Sequence, residues 1–195
     1  VKTLANYAGM QHYKFSKADE ERENDWKNYY QIYKDYIEYH NEELLKNPDL
    51  NEVRDYLKNR NLNANDVKNF DIGYVRNKKN FYQELLNKFK EKDLKDSGLF
   101  YFDEKNKEYV ERFRGRIIFP IKSITGQCIA AGGRIIKKET YLAKYVNSPE
   151  TKFFKKGNHL YNLDKARKIS NSNEQVFLVE GYMDVIGLTK NKIEN

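Results

Sequence analysis

The chain has 195 residues, with 36 Lys+Arg against 29 Asp+Glu and a formal net charge of +7. That length builds one domain or two small subdomains, and 16 Tyr with 11 Phe exclude a disordered chain, which lacks the apolar surface to offset ordering entropy. No apolar run approaches roughly 18 residues, which excludes a membrane-spanning helix. Val1 to Ala8 has neither the basic start nor the cleavage site of a signal peptide. The lone cysteine, Cys128, cannot by itself form a disulfide or a Cys-cluster zinc site. A reducing cytoplasm is therefore the expected compartment.

The charge is uneven. Lys105 to Lys168 holds sixteen Lys/Arg against five Asp/Glu, a local excess of +11 that leaves the remainder at −4 against the total of +7. Such asymmetry points to a polyanion partner, with a solvated Lys-rich surface as the bland alternative.

The elements read as follows in chain order. Val1 to Ala8 resembles the end of a helix. Ser16, with Asp19 three residues on, caps a new one. Trp26, Tyr29, Tyr30, Tyr33, Tyr36, Ile37, His40 and Leu44 then recur at spacings of three and four. They form one helical stripe, which Pro48 ends. A second helix covers Leu50 to Asn59, with Val53, Tyr56 and Leu57 inward. Asn63 caps a short third helix holding Val67 and Phe70. Ile72 to Val75 reads as a strand, and Phe81 to Phe89 as a helix with Leu85 and Leu86 apolar.

Near Leu99 the pattern changes. Leu99 to Phe102 and Tyr109 to Val110 read as strands about a charged turn. Arg116 to Lys122 and Cys128 to Ile136 read as a hairpin about Thr125-Gly126. Pro120 places its strand at an edge or a bulge. Lys137 to His159 shows no period and reads as loop. Asp164 to Ile169 reads as a short helix, Val176 to Val179 as a short buried strand, and Asp184 to Lys190 as a helix start.

Four runs carry candidate chemistry. In Val176-Phe-Leu-Val-Glu-Gly-Tyr-Met-Asp-Val185, a strand delivers Glu180 at its C-terminal end, and Gly181 permits a sharp turn. Asp184 sits near a helix start. Two such carboxylates can share a hard cation. The plainer alternative, which the motif alone favours, is a surface acid and a helix N-cap. In the second run Arg112, Arg114 and Arg116 alternate with Phe113 and Gly115. If extended, their guanidinium groups share one face that suits phosphates or a stacked base; the alternative is the wet face of an edge strand. The third run is Ala131-Gly-Gly-Arg134, where paired glycines allow close backbone approach or form a bulge. In the fourth, Lys144, Tyr145, Asn147, Lys155 and Lys156 interleave cations, a stacking face and an amide. That fits a single-stranded nucleic-acid track or, equally, a Lys-rich loop anchored by Phe153 and Phe154.

Together these runs, "RFRGRIIFPI", "GGR", "KYVNSPET…FFKKG…LY" and "VEGYMDV", stand in the order and at the approximate distances of bacterial DnaG-type primases. "YLKNRNL", "FDIGYV" and "VKTLANYAGM" extend the resemblance over essentially the whole chain. The resemblance implies an α+β fold. A helical amino-terminal part (1–95) and a basic, strand-rich part with a small antiparallel sheet (96–170) form one subdomain. The first strand-turn-helix (171–195) begins an incomplete TOPRIM subdomain. It implies Glu180 and Asp184 as catalytic acids serving Mg²⁺ or Mn²⁺. It also implies Arg60, Arg112, Arg114, Arg116, Arg134, Lys144, Tyr145, Asn147 and Lys156 as lining for template, primer or nucleotide.

Three departures stand out. Ala131 replaces a frequent aromatic, and Asn162 a usual glycine; both bear on local packing. The Asp-rich strand ends that complete a TOPRIM metal site belong downstream of Asn195. The chain therefore reads as a fragment, inactive alone, of a longer protein that carries zinc in an amino-terminal module and binds the replicative helicase through a carboxy-terminal domain. Expected partners are single-stranded DNA, an RNA primer and nucleoside triphosphates, with the protein a monomer at the replication fork. A non-catalytic single-stranded DNA-binding module, or another TOPRIM enzyme such as a topoisomerase or nuclease, is the competing reading.

Overall fold

The computed structural model describes residues 16–77, 80–136, 141–170 and 175–194. Val1 to Ala8 lies outside them. Helix α1, Lys17–Lys46, opens on a capping box: Ser16 Oγ accepts from the Asp19 amide, and Asp19 Oδ2 accepts from the Ser16 amide. It ends at Asn47, just before Pro48, whose ring cannot sit inside a helix. The apolar stripe buries Tyr29, Tyr33, Tyr36, Ile37, His40 and Leu44 as its spacing predicts, and Ile32 joins them. Trp26 and Tyr30 pack only partly against the core.

Helix α2 is Asn51–Lys58 and α3 is Ala64–Asn69. Asn63 and Asp66 form a second capping box. Strand β1, Gly73–Val75, follows. The expected helix over 81–89 is shorter, α4 at Tyr82–Leu86, and a further helix, α5 at Glu91–Asp96, precedes the sheet region. Strands β2, Phe100–Asp103, and β3, Glu108–Glu111, form the expected hairpin. Strands β4, Arg116–Lys122, and β5, Cys128–Ile135, form the second. Strand β6, Tyr145–Asn147, lies where loop was expected; three residues are too few to display a period. Helices α6, Leu163–Ser170, and α7, Tyr182–Lys190, complete the described elements.

The main sheet has the order β1-β4-β5-β6, antiparallel throughout. Pro120 lies on β4 beyond Ile118, the last residue that β1 pairs, and next to a register shift at Ile121/Lys122. Its missing N–H thus falls where the ladder is already interrupted. β4 is covered on both faces. Ile118 and Ile121 enter a core with Tyr29, Tyr33, Leu94 and Phe154. Ile117 and Phe119 enter a second core with Leu44, Leu57, Val67 and Ile186. That explains its unbroken apolar run. Both cores lean on α1, the second through Leu44 and the first through Tyr29, whose Oη donates to Ile129 O at 2.7 Å, and Tyr33, whose Oη donates to Ser97 O at 3.0 Å.

One expectation fails. Residues 176–179 form no strand and are not buried: Leu178 is 79% exposed. Apolar composition buries a strand only against a neighbour, and among the described strands none pairs with this segment. No described helix is long and apolar enough to cross a membrane.

Cys128 packs partly against the first core, and burial pushes its thiol up to about 12. Thiolate supply falls faster than nucleophilicity rises. Ellman's reagent at pH 8 is therefore expected to react with the folded protein about 10²-fold more slowly than with the denatured chain. Equal rates in the two states would contradict this burial.

Candidate nucleic-acid interface

The arginine ladder does not form. β3 stops at Glu111, and residues 112–115 turn, closing on Gly115 at φ +71°. The Gly115 amide donates to Val75 O at 2.8 Å, and this turn carries the chain from one sheet to the other. The three guanidinium groups therefore go to different places. Arg112 Nε donates to Gly98 O at 2.8 Å, with its guanidinium 5.8 Å from the Tyr101 ring. Arg114 reaches Tyr101 Oη at 3.3 Å and Asp103 at 3.9 Å. Arg116 is 6% exposed and donates to Ala143 O at 2.8 Å. Burial lowers its pKa, and its hydrogen bonds prop the backbone that leads into β6. Alternation along a sequence puts side chains on one face only while the backbone stays extended.

Arg134 and Tyr145 are cross-strand partners of β5 and β6. Arg134 Nη1 donates to Tyr145 Oη at 2.7 Å. The Arg134 guanidinium lies 5.3 Å from the Tyr145 ring centre and 5.8 Å from that of Tyr56. Arg60 approaches the same Tyr56 ring at 5.6 Å. One aromatic ring thus serves two cations, Arg60 on the loop after α2 and Arg134 on the sheet. Arg134 is 6% exposed, and its Nε is buried without a hydrogen-bond partner. Tyr145 keeps 39% of its surface open, enough for a base to stack.

The Gly132-Gly133 pair has a packing reason. A Cβ on Gly132 would lie 2.4 Å from Tyr182 Oη, and one on Gly133 would lie 2.5 Å from Phe113 Cδ1. Both are closer than real Cβ atoms come, so the two glycines admit two rings. Tyr182 stacks on buried Phe119 at 5.2 Å with planes 3° apart, and meets Tyr161 edge-on at 4.8 Å. Its Oη donates to Asn147 Oδ1 at 2.8 Å. Burial pushes this hydroxyl up to about 12, so it keeps its proton at neutral pH.

Between β6 and the start of α7 lies a groove of about 660 Å³. Tyr145, Asn147, Lys156, Glu180, Tyr182 and Asp184 are among its lining residues. Gly181 is the N-cap of α7, which puts Asp184 in its first turn, where the helix dipole favours an anion. Glu180 and Asp184 are both exposed. The groove is lined largely by apolar side chains, among them Leu160, Val176, Phe177 and Leu178, and the exposed carboxylates of Glu180 and Asp184 are hard oxygen donors that fit a share of a Mg²⁺ site. Among the described residues, no group of three or more His, Cys, Asp or Glu gathers to hold an ion alone.

The fold therefore brings together Lys156, Tyr145, Asn147, Glu180 and Asp184. Arg134 backs Tyr145, Arg60 joins through Tyr56, and Arg116 stands beneath the exposed Lys144 at 3.4 Å from its carbonyl. Arg112 and Arg114 lie apart, beside Gly98 and Tyr101. Sequence reasoning assigned Tyr56 to a core stripe only and gave Tyr182 no role. Tyr56 stands four residues before Arg60, a spacing that would stack the two side chains on one helix face, although α2 ends at Lys58 and Arg60 reaches the ring from the turn beyond it. Tyr182 gave no sequence signal, because its partners lie on β4 and β6.

A family model described as "DNA primase catalytic core, N-terminal domain" matches residues 39–167. A DNA primase of Staphylococcus epidermidis is 37% identical over 160 residues, covering 80% of this chain and 26% of that protein. One of Lactococcus lactis is 35% identical over 198 residues, covering 100% of this chain and 30% of its own length. The chain thus spans about a quarter to a third of these relatives. Among solved structures, a DnaG primase catalytic domain bound to ssDNA is 30% identical with a TM-score of 0.74, over 88% of this chain and 53% of that one. A primase of Aquifex aeolicus, with zinc-binding and RNA polymerase domains, is 28% identical with a TM-score of 0.78, over 88% and 41%.

Proposed function

Because the chain belongs to the bacterial DnaG-type DNA primase family, we propose that it forms the front of a primase polymerase core and takes part in RNA primer synthesis on single-stranded DNA. The observation that carries this reading is the groove that Tyr145, Asn147 and Lys156 line together with Glu180 and Asp184. In it, a lysine and a stacking ring share one groove with two carboxylates, a combination that suits nucleotide transfer.

Each residue has a defined task. Lys144 and Lys156 attract phosphates without reading sequence. Tyr145, held from below by Arg134, offers a face for a base. Glu180 and Asp184 would hold Mg²⁺ or Mn²⁺ together with acids outside this chain. When bound, such ions supply positive charge to the phosphates and polarise the attacking hydroxyl. Zinc is assigned to a separate amino-terminal module and helicase contact to a carboxy-terminal one, with the whole acting as a monomer in the cytoplasm at the fork. Among TOPRIM enzymes the primase reading prevails over a topoisomerase or nuclease, since the matched family model is that of a primase core. Taken alone, this segment is a single-stranded DNA-binding module that makes no primers.

Binding of single-stranded DNA to the full-length protein, titrated from about 50 to 200 mM salt, tests the groove. Log affinity should fall linearly with log salt at a slope near −0.7 per phosphate contact. Lys144→Ala and Lys156→Ala should each flatten that slope by about 0.7. Salt-independent binding would contradict the phosphate track. A full-length protein that makes no primers from template, nucleotides and Mg²⁺ would overturn the functional reading itself.

A further inference from the structure

Tyr182 and Asn147 meet across the floor of the groove, and each is held by a rigid element. The Tyr182 ring is fixed on three sides by Phe119, Tyr161 and the Gly132 backbone. Asn147 is the last residue of β6 and is paired in register with Gly132. The single hydrogen bond between them runs from Tyr182 Oη to Asn147 Oδ1. A phenolic hydroxyl donates only one proton, and an amide has one acceptor oxygen and one donor nitrogen. With Oδ1 engaged by the hydroxyl, Nδ2 is the donor that the amide has left, and Asn147 lines the groove.

We propose that Tyr182 is a positioning residue: it fixes the Asn147 amide so that the groove is offered a donor, aimed at an acceptor oxygen of the incoming nucleotide. This rests on the primase reading. The nucleotide is preferred to the template because Asn147 shares the groove with Glu180 and Asp184, the acids assigned to the ions that hold nucleotide phosphates. Without the hydroxyl, the amide is free to flip and to present its oxygen, which repels a phosphate or sugar oxygen. The same ring joins the carboxylate turn to β6, because Tyr182 lies between Glu180 and Asp184 in sequence.

The test uses the full-length protein in a primer-synthesis assay, with KM measured separately for nucleotide and for template. Tyr182→Phe keeps the ring and its stacking, so the thermal midpoint serves as the folding control. Its KM for nucleotide is expected to rise about 3- to 10-fold, the ratio one net hydrogen bond is worth, with a smaller change in kcat. Asn147→Asp still accepts from Tyr182 but turns an anion into the groove, and should lose more. The decisive comparison is Asn147→Ala with and without Tyr182→Phe: if Tyr182 acts through Asn147, the second change adds nothing. A rise in KM for template instead of nucleotide, with the same non-additivity, keeps the positioning role and moves the acceptor to the DNA strand. Additive losses, or a Tyr182→Phe protein whose KM values match the parent's, overturn it. A parent protein that makes no primers refutes the functional reading rather than this one.

Discussion

Glu180→Gln in the full-length protein is expected to lower primer synthesis by at least about 10²–10³-fold, the scale lost when one electrostatic group at a reacting centre is removed. Gln keeps the shape of the side chain and removes its charge. Glu180 is exposed at the N-terminal side of α7, so the fold should tolerate the change to within about 0.5 kcal/mol. Single-stranded DNA binding should persist, because the cations of the groove stay in place. An assay with labelled nucleotides on a single-stranded template, run beside a DNA-binding titration, separates the two effects. Primer synthesis close to that of the parent would remove Glu180 from the reacting centre.

Glu111→Ala should produce the largest loss of stability, about 3–5 kcal/mol, as expected when one member of a buried pair is deleted. Glu111 Oε1 and His40 Nε2 are 2.6 Å apart, and both side chains are almost fully enclosed. Glu111 Oε2 also accepts from the Phe81 amide at 3.1 Å. One carboxylate therefore ties α1, β3 and the entry to α4 together. Truncation leaves a buried ring nitrogen and a buried amide without partners. Against a total of roughly 5–15 kcal/mol for a domain, the urea midpoint should fall steeply. Glu111→Gln, which still offers an acceptor oxygen, should cost less. A loss below about 1 kcal/mol for Glu111→Ala would mean that the pair is not enclosed in solution.

The sequence read well where order is local. Ser16 and Asn63 stand at the helix starts they were expected to cap, because a cap needs only its own first turn. The two hairpins were legible because each is a pair of apolar runs joined by a short turn. Sequence could not show that Arg112 to Gly115 is a crossing between two sheets, since alternation of charge is the same string whether the backbone is straight or bent. Nor could it show β6, whose three residues take their conformation from β5. The site divides in the same way. Its carboxylates and cations stood out as residue types. Tyr56 looked like an ordinary core aromatic and Tyr182 carried no signal, and only the partners that the fold supplies distinguish them.

The long first helix also has a bearing on how the chain is made. Tyr29 finds its hydrogen-bond acceptor, the Ile129 carbonyl, 100 residues further along, and Asp25 finds Lys152 at a separation of 127. A ribosome working at about 5–20 residues per second leaves Tyr29 without this acceptor for roughly 5–20 s before β5 emerges. Contacts of such separation close late and slow folding. Substitutions at Tyr29 should therefore speed unfolding more than they delay folding.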